Sequence, residues 1–124
     1  MSNKKKILII DDELAIAEMV TEFCSTLDLD SLVLEDGKKA LETVLRYQPD
    51  LILLDLIMPD VSGLEILKIL KNNKQTVSIP IFIVSVAIDS EEVSEALRLC
   101  QGTVSKPIHI KKLKEKINSI LFPS

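Results

Sequence analysis

The chain has 124 residues, 15 basic and 19 acidic, for a net charge of −4. That length suits one domain spanning residues 1–124, and a mildly acidic chain with no basic stripe argues against nucleic-acid binding. Hydrophobic residues make up 47% and aromatic residues only 3%, so an aliphatic core can form but stacking platforms for single-stranded nucleic acid are missing.

The lysines Lys4-Lys5-Lys6 read as a solvated lead-in to a first strand, about Lys6–Ile10. Ile16, Val20, Phe23 and Leu27 then step by four, three and four, which lines one face of a first helix. A short strand, Ser31–Glu35, follows, and Asp36-Gly37 turns the chain into a second helix with Ala40, Leu41, Val44 and Leu45 facing inward. Leu51–Leu54 is an unbroken apolar run, the pattern of a strand buried on both faces. Pro59 and Gly63 break the chain before a third helix from about Gly63 to Asn72. Pro80 introduces a fourth strand, Ile81–Ser85, and Ser90-Glu91-Glu92 reads as an N-cap and acidic first turn of a fourth helix. Residues Gly102 to Ser105 form a weak fifth strand, and Ile110, Leu113, Ile117 and Leu121 line a fifth helix that Pro123 closes.

Fivefold alternation of strand and helix with short connections predicts an α/β fold, a doubly wound parallel sheet with helices on both faces. The flavodoxin-like strand order 2-1-3-4-5 is the natural one, with its switch point between strands one and three. No stretch approaches the roughly 20 apolar residues of a membrane span. Nor is there a secretory h-region of about 7–15 residues after the lysines. Cys24 and Cys100 lie far apart at apolar helical positions and read as two buried reduced thiols. These features predict a cytoplasmic protein.

Strands one and three end in Asp11-Asp12-Glu13 and in Asp55. Adjacent strands are about 4.8 Å apart. Two carboxylates at about 5 Å repel by roughly 3 kcal/mol at an effective dielectric near 20. Such a cluster needs a cation, a proton or a fixed ammonium. An all-oxygen donor set favours Mg²⁺ or Mn²⁺ over zinc, and the carboxylates are too few for a calcium cage. Magnesium held by one or two carboxylates leaves positions for a phosphate-bearing partner. Ser85 at the end of strand four could donate to a phosphoryl oxygen, and Lys106 after strand five could neutralise charge. Together these parts suffice for attack by an aspartate on a phosphoryl group. Singly, Asp12 or Glu13 reads as a helix cap, Ser85 as a turn residue and Lys106 as a solvated lysine. Their joint meaning comes from all of them falling at one edge of one sheet.

The chain resembles the receiver domains of two-component response regulators over nearly its whole length. Asp11-Asp12 is similar to the family's acidic pair, and Asp55, Met58-Pro59 and Gly63 to its phosphoacceptor motif. Ser85 and Lys106-Pro107 follow at the family's spacing. The resemblance implies that Asp55 accepts a phosphoryl group from a phosphohistidine on a histidine kinase or histidine phosphotransfer protein. It implies that Asp12 and Asp55 bind Mg²⁺ directly, Asp11 through water, and the Ile57 carbonyl as a further ligand. Ser85 and Lys106 would hold the phosphoryl oxygens, with the Lys106–Pro107 bond cis and the lysine aimed inward. The domain would catalyse only its own modification, as a monomer or weak homodimer, and pass the signal to a downstream protein.

Three departures from the family pattern stand out. Thr103 occupies the place of a usual aromatic switch, Val86 that of a usual small residue, and Leu99-Cys100 that of a usual Gly-Ala. The resemblance implies that Ile57 and Ala87, two residues past Asp55 and Ser85, lie beside the in-line path to Asp55; neither can orient a water, which predicts slow loss of the phosphoryl group. His109, at the start of helix five, reads as an exposed polar residue. The competing readings are a degenerate receiver acting as a non-switching binding module, an aspartate-nucleophile phosphatase and a flavin carrier. The phosphatase would need a second aspartate where Ile57 stands, and the acidic first loop would repel an FMN phosphate.

Overall fold

The computed structural model describes residues 4–59, 61–85 and 91–123. Strands β1 (Lys6–Ile10), β2 (Asp30–Leu34), β3 (Leu51–Asp55), β4 (Ile81–Ser85) and β5 (Gly102–Ser105) alternate with helices. The helices are α1 (Leu14–Thr26), α2 (Ala40–Tyr47), α3 (Gly63–Lys71), α4 (Glu91–Leu99) and α5 (Ile110–Leu121). The strands form one sheet in the order β2-β1-β3-β4-β5, and every adjacent pair is parallel. This is the expected flavodoxin-like order.

Side-chain alternation along the central strands divides the core into two layers. Leu8, Ile10, Ile52 and Leu54 pack with Val44 of α2, Leu67 and Leu70 of α3 and Ala96 of α4. Ile7, Ile9, Leu51 and Leu53 pack on the other face with Val20 and Phe23 of α1 and Leu113 and Ile117 of α5. All five residues of β3 are buried, because it is central and covered on both faces. That explains its unbroken apolar run. At the edge, β2 has no fully buried residue, its five residues being exposed or half-buried.

Several boundaries and burials differ from the sequence expectation. Strand β2 begins one residue earlier, because its register pairs Asp30 with Lys6. Leu45 is exposed rather than inward, since α2 presents Ala40 and Val44 to the core. Cys24 is buried as expected, whereas Cys100 is half-buried just after the end of α4; both thiols are free. Helix α3 ends at Lys71, with Asn72 as its C-cap. The expected cap Ser90 and the departures Val86 and Ala87 lie outside the described residues. His109 is exposed at the N-cap of α5, with no side-chain cap bond.

Candidate phosphoacceptor site

Register carries the acidic residues together. Ile10 pairs with Leu54 across β1 and β3, so Asp11 and Asp55 leave neighbouring strands side by side. Both are buried, at 2% and 3% exposure, which is unusual for carboxylates and requires partners. Each is aimed by a local bond: Asp11 Oδ1 accepts from the Glu13 N–H at 2.8 Å, and Asp55 Oδ1 accepts from the Ile57 N–H at 3.1 Å. Asp12 is exposed beside them. Carboxylate oxygens of Asp11, Asp12 and Asp55 all lie within 4.8 Å of one another.

The loop after β3 folds back tightly. Gly63 donates its N–H to the Leu56 carbonyl at 2.9 Å. A Cβ at Gly63 would sit 2.4 Å from the Asp55 carbonyl oxygen, so the close approach requires glycine. Ile57, whose side chain is exposed, and Ser62 pair across this loop.

Strands β4 and β5 bring the other two groups. Ser85 pairs in register with Ser105, and the Lys106 N–H donates to the Ser85 carbonyl at 2.9 Å. The Lys106–Pro107 bond is cis. Lys106 is far from solvated, its side chain being only 10% exposed. Its Nζ lies 3.5 Å from Asp55 Oδ2 and 3.7 Å from Asp11 Oδ2. A shorter contact, 2.6 Å, runs to Glu13 Oε1. The side chain of Glu13 was expected only as a cap; Glu13 does occupy the N-cap of α1 but makes no side-chain cap bond. Its pairing with Lys106 was not foreseen, and the available signal was a third acid in direct succession after a strand. The structure thus gathers Asp11, Asp12, Asp55 and Lys106 directly, and places Ser85 and the Ile57 backbone at the same sheet edge.

The electrostatics fit a site able to hold a cation. Burial first, and then the neighbouring Asp11 charge, push Asp55 up to about 6. Burial likewise raises Asp11, against the lowering effect of the Glu13 N–H and the Lys106 charge. Burial alone would lower Lys106, but its hydrogen bond to Glu13 and the charges of Asp11 and Asp55 outweigh that and raise it. Among the described residues Asp55 Oδ2 makes no hydrogen bond although it is buried. An orphaned, buried carboxylate oxygen beside two further carboxylates is a donor set suited to a hard divalent cation such as Mg²⁺. Thr103, half-buried on β5, has its carbonyl engaged by the Lys116 ammonium. No helix of the described residues is long and apolar enough to cross a membrane.

Comparison with known proteins agrees with this geometry. Residues 7–118 match the response regulator receiver domain. The Regulator of RpoS from Escherichia coli (strain K12) is 30% identical over 122 residues, covering 97% of this chain and 36% of that protein. The DNA-binding response regulator MtrA from Mycolicibacterium smegmatis is 30% identical over 119 residues, covering 95% of this chain and 51% of that protein. The chain therefore spans only about a third to a half of the length of these relatives. Among solved structures, the Vibrio cholerae chemotaxis protein CheY4 superposes with a TM-score of 0.86 at 24% identity, over 95% of this chain and 99% of that one. The Francisella response regulator 1452 receiver domain superposes with a TM-score of 0.80 at 31% identity, over 94% of this chain and 96% of that one. A domain match over most of the chain, on a sheet of the same order with an acidic pocket at its switch point, shows that this protein belongs to the response regulator receiver domains of two-component systems.

Proposed function

We propose that this chain is a phosphoacceptor signalling domain in which Asp55 takes a phosphoryl group from a phosphohistidine on a histidine kinase or histidine phosphotransfer protein. The observation that carries the reading is the buried Asp55 carboxylate, whose Oδ2 makes no hydrogen bond among the described residues and whose neighbours are Asp11, Asp12 and Lys106. An Asp55 oxygen attacks phosphorus, the phosphorus–nitrogen bond of the donor breaks, and its electron pair returns to the imidazole. Asp11, Asp12, Asp55 and the Ile57 carbonyl would hold Mg²⁺, with Mn²⁺ as a substitute. The ion, when bound, neutralises charge on the carboxylates and the incoming phosphoryl oxygens. Lys106 supplies a fixed ammonium to those oxygens, and the Ser85 hydroxyl donates a hydrogen bond. The Ile57 N–H orients the Asp55 carboxylate throughout.

In this reading residues 1–124 act as one receiver domain in the cytoplasm, a monomer or weak homodimer, and phosphorylation alters contacts with a downstream protein. The chain modifies itself and turns over no separate substrate. Incubation with Mg²⁺ and a small phosphodonor, followed by intact-mass measurement, tests it. The expected result is one added phosphoryl group on wild type and none on Asp55→Asn; equal labelling of the two defeats the proposal.

Thr103 favours a second reading, a degenerate receiver that binds partners without switching, because no aromatic side chain is present there to report on Ser85. Labelling at Asp55 that leaves partner affinity unchanged would select it.

A further inference from the structure

Lys106 is the ammonium that the phosphoacceptor reading assigns to the phosphoryl oxygens, and the inference below rests on that reading. Its resting position is informative. The separations of 3.5 Å and 3.7 Å to Asp55 and Asp11 lie beyond the usual hydrogen-bond range, about 2.7–3.2 Å for a nitrogen donor. The 2.6 Å contact to Glu13 is a short charge-assisted hydrogen bond. The lysine side chain is 10% exposed and that of Glu13 is 56% exposed, so the bond runs from inside the pocket to its rim. Glu13 is not loosely placed, because its N–H is fixed by Asp11 Oδ1 at 2.8 Å. Its carboxylate also lies outside the trio whose oxygens cluster, namely Asp11, Asp12 and Asp55.

We propose that Glu13 is a positioning residue that holds the Lys106 ammonium at the pocket rim and competes with the phosphoryl group on Asp55 for it. An ammonium is a compact charge with three donors. A phosphoryl group arriving on Asp55 brings three acceptor oxygens, and the lysine must share or leave its bond to Glu13 to serve them. Glu13 thereby weakens the hold on the phosphorylated state and sets how long that state lasts. A pair with one partner half in solvent is worth little, so the effect on affinity is a matter of about two- to fivefold.

The test uses beryllofluoride, a mimic of the aspartyl phosphate, with Mg²⁺ and the full chain. Glu13→Ala should bind it about two- to fivefold more tightly than wild type and lose a phosphoryl group correspondingly more slowly. In a Lys106→Ala background the same substitution should change neither quantity. In the metal-free protein, the ¹⁵Nζ resonance of Lys106 should shift on Glu13→Ala. An unshifted resonance, unchanged affinity in Glu13→Ala, or a gain that persists without Lys106 would overturn the inference while wild type still binds. Failure of wild type itself to bind beryllofluoride or to label would overturn the phosphoacceptor reading, and this inference with it.

Discussion

Asp11 and Asp55 each stand one residue beyond a pair of register partners, Ile10 and Leu54, so parallel pairing alone places two buried carboxylates side by side. Hydrophobic burial of β1 and β3 holds them there, and neither carboxylate can move away without disturbing the sheet. The free energy of the fold is therefore coupled to the charge state of the pocket.

That coupling predicts the pH dependence of the metal-free protein. The folded state raises Asp55 from 3.8 to about 6, chiefly by burial and then by Asp11. A raised carboxyl group means that the folded chain binds the proton more tightly than the unfolded chain does. The resulting stabilisation is present below 3.8 and is lost as pH rises through about 6. In EDTA, urea unfolding should therefore show stability falling over that interval, by on the order of 3 kcal/mol. Asp55→Asn should flatten the fall and be the more stable protein at neutral pH, and added Mg²⁺ should restore wild type. A metal-free protein whose stability rises over the same interval would refute the electrostatic account.

Much of this pocket was legible in the sequence, and the reasons are physical. A strand buried on both faces has to read as an apolar run, so the carboxylates that end β1 and β3 announced themselves at Asp11 and Asp55. The fivefold alternation constrained the topology to few choices, and 2-1-3-4-5 is the order found. What the sequence withheld depended on side-chain direction. Leu45 fits a helical stripe, yet the short α2 buries only Ala40 and Val44. Glu13 looks like a cap, and only the path of β5 shows that Lys106 reaches it.

Gly63 should tolerate no side chain. An added Cβ would lie 2.4 Å from the Asp55 carbonyl oxygen and 2.6 Å from Leu56 Cα, both rigid backbone atoms. Gly63→Ala must push the β3–α3 loop away from the strand end, at a cost of at least about 2 kcal/mol. Denaturant melts should register that loss. Labelling at Asp55 should fall as well, because the displaced loop carries the Ile57 N–H that orients the carboxylate. Wild-type stability in Gly63→Ala would show that the loop has more freedom than its geometry implies.

The route of output is open to a direct measurement. By its resemblance to the family, Thr103 takes the place of an aromatic switch, whereas α4 is tied to the loop after Asp55 and to α3. Ser62 Oγ donates to Glu92 Oε1 at 2.6 Å, and Lys68 pairs with Glu95 at 2.9 Å. A phosphoryl group that shifts the β3–α3 loop must therefore pull on the first turn of α4. Hydrogen exchange on addition of beryllofluoride should change across residues 91–99. Ser62→Ala should reduce that response, since a hydrogen bond to a charged group is worth about 1.5–3 kcal/mol gross of exposure. Identical exchange across α4 in the free and loaded protein would exclude this route.

In the phosphoacceptor reading, the lifetime of the phosphoryl group should depend on water at the pocket mouth. Ile57 is 53% exposed there, and its backbone N–H is bonded to Asp55 Oδ1, so its side chain is anchored beside the carboxylate. An aliphatic group at that place can neither donate to nor accept from a water aligned with the phosphorus. Ile57→Asn supplies an amide that does both, at little cost to the fold because the position is exposed. Dephosphorylation should quicken about tenfold, equivalent to about 1.4 kcal/mol of barrier. Loss of label followed by intact mass checks the rate. A second comparison, in Lys106→Ala, separates water placement from a change in phosphoryl binding: the acceleration should survive there if the amide acts on water alone, and an acceleration that disappears would assign it to the lysine instead.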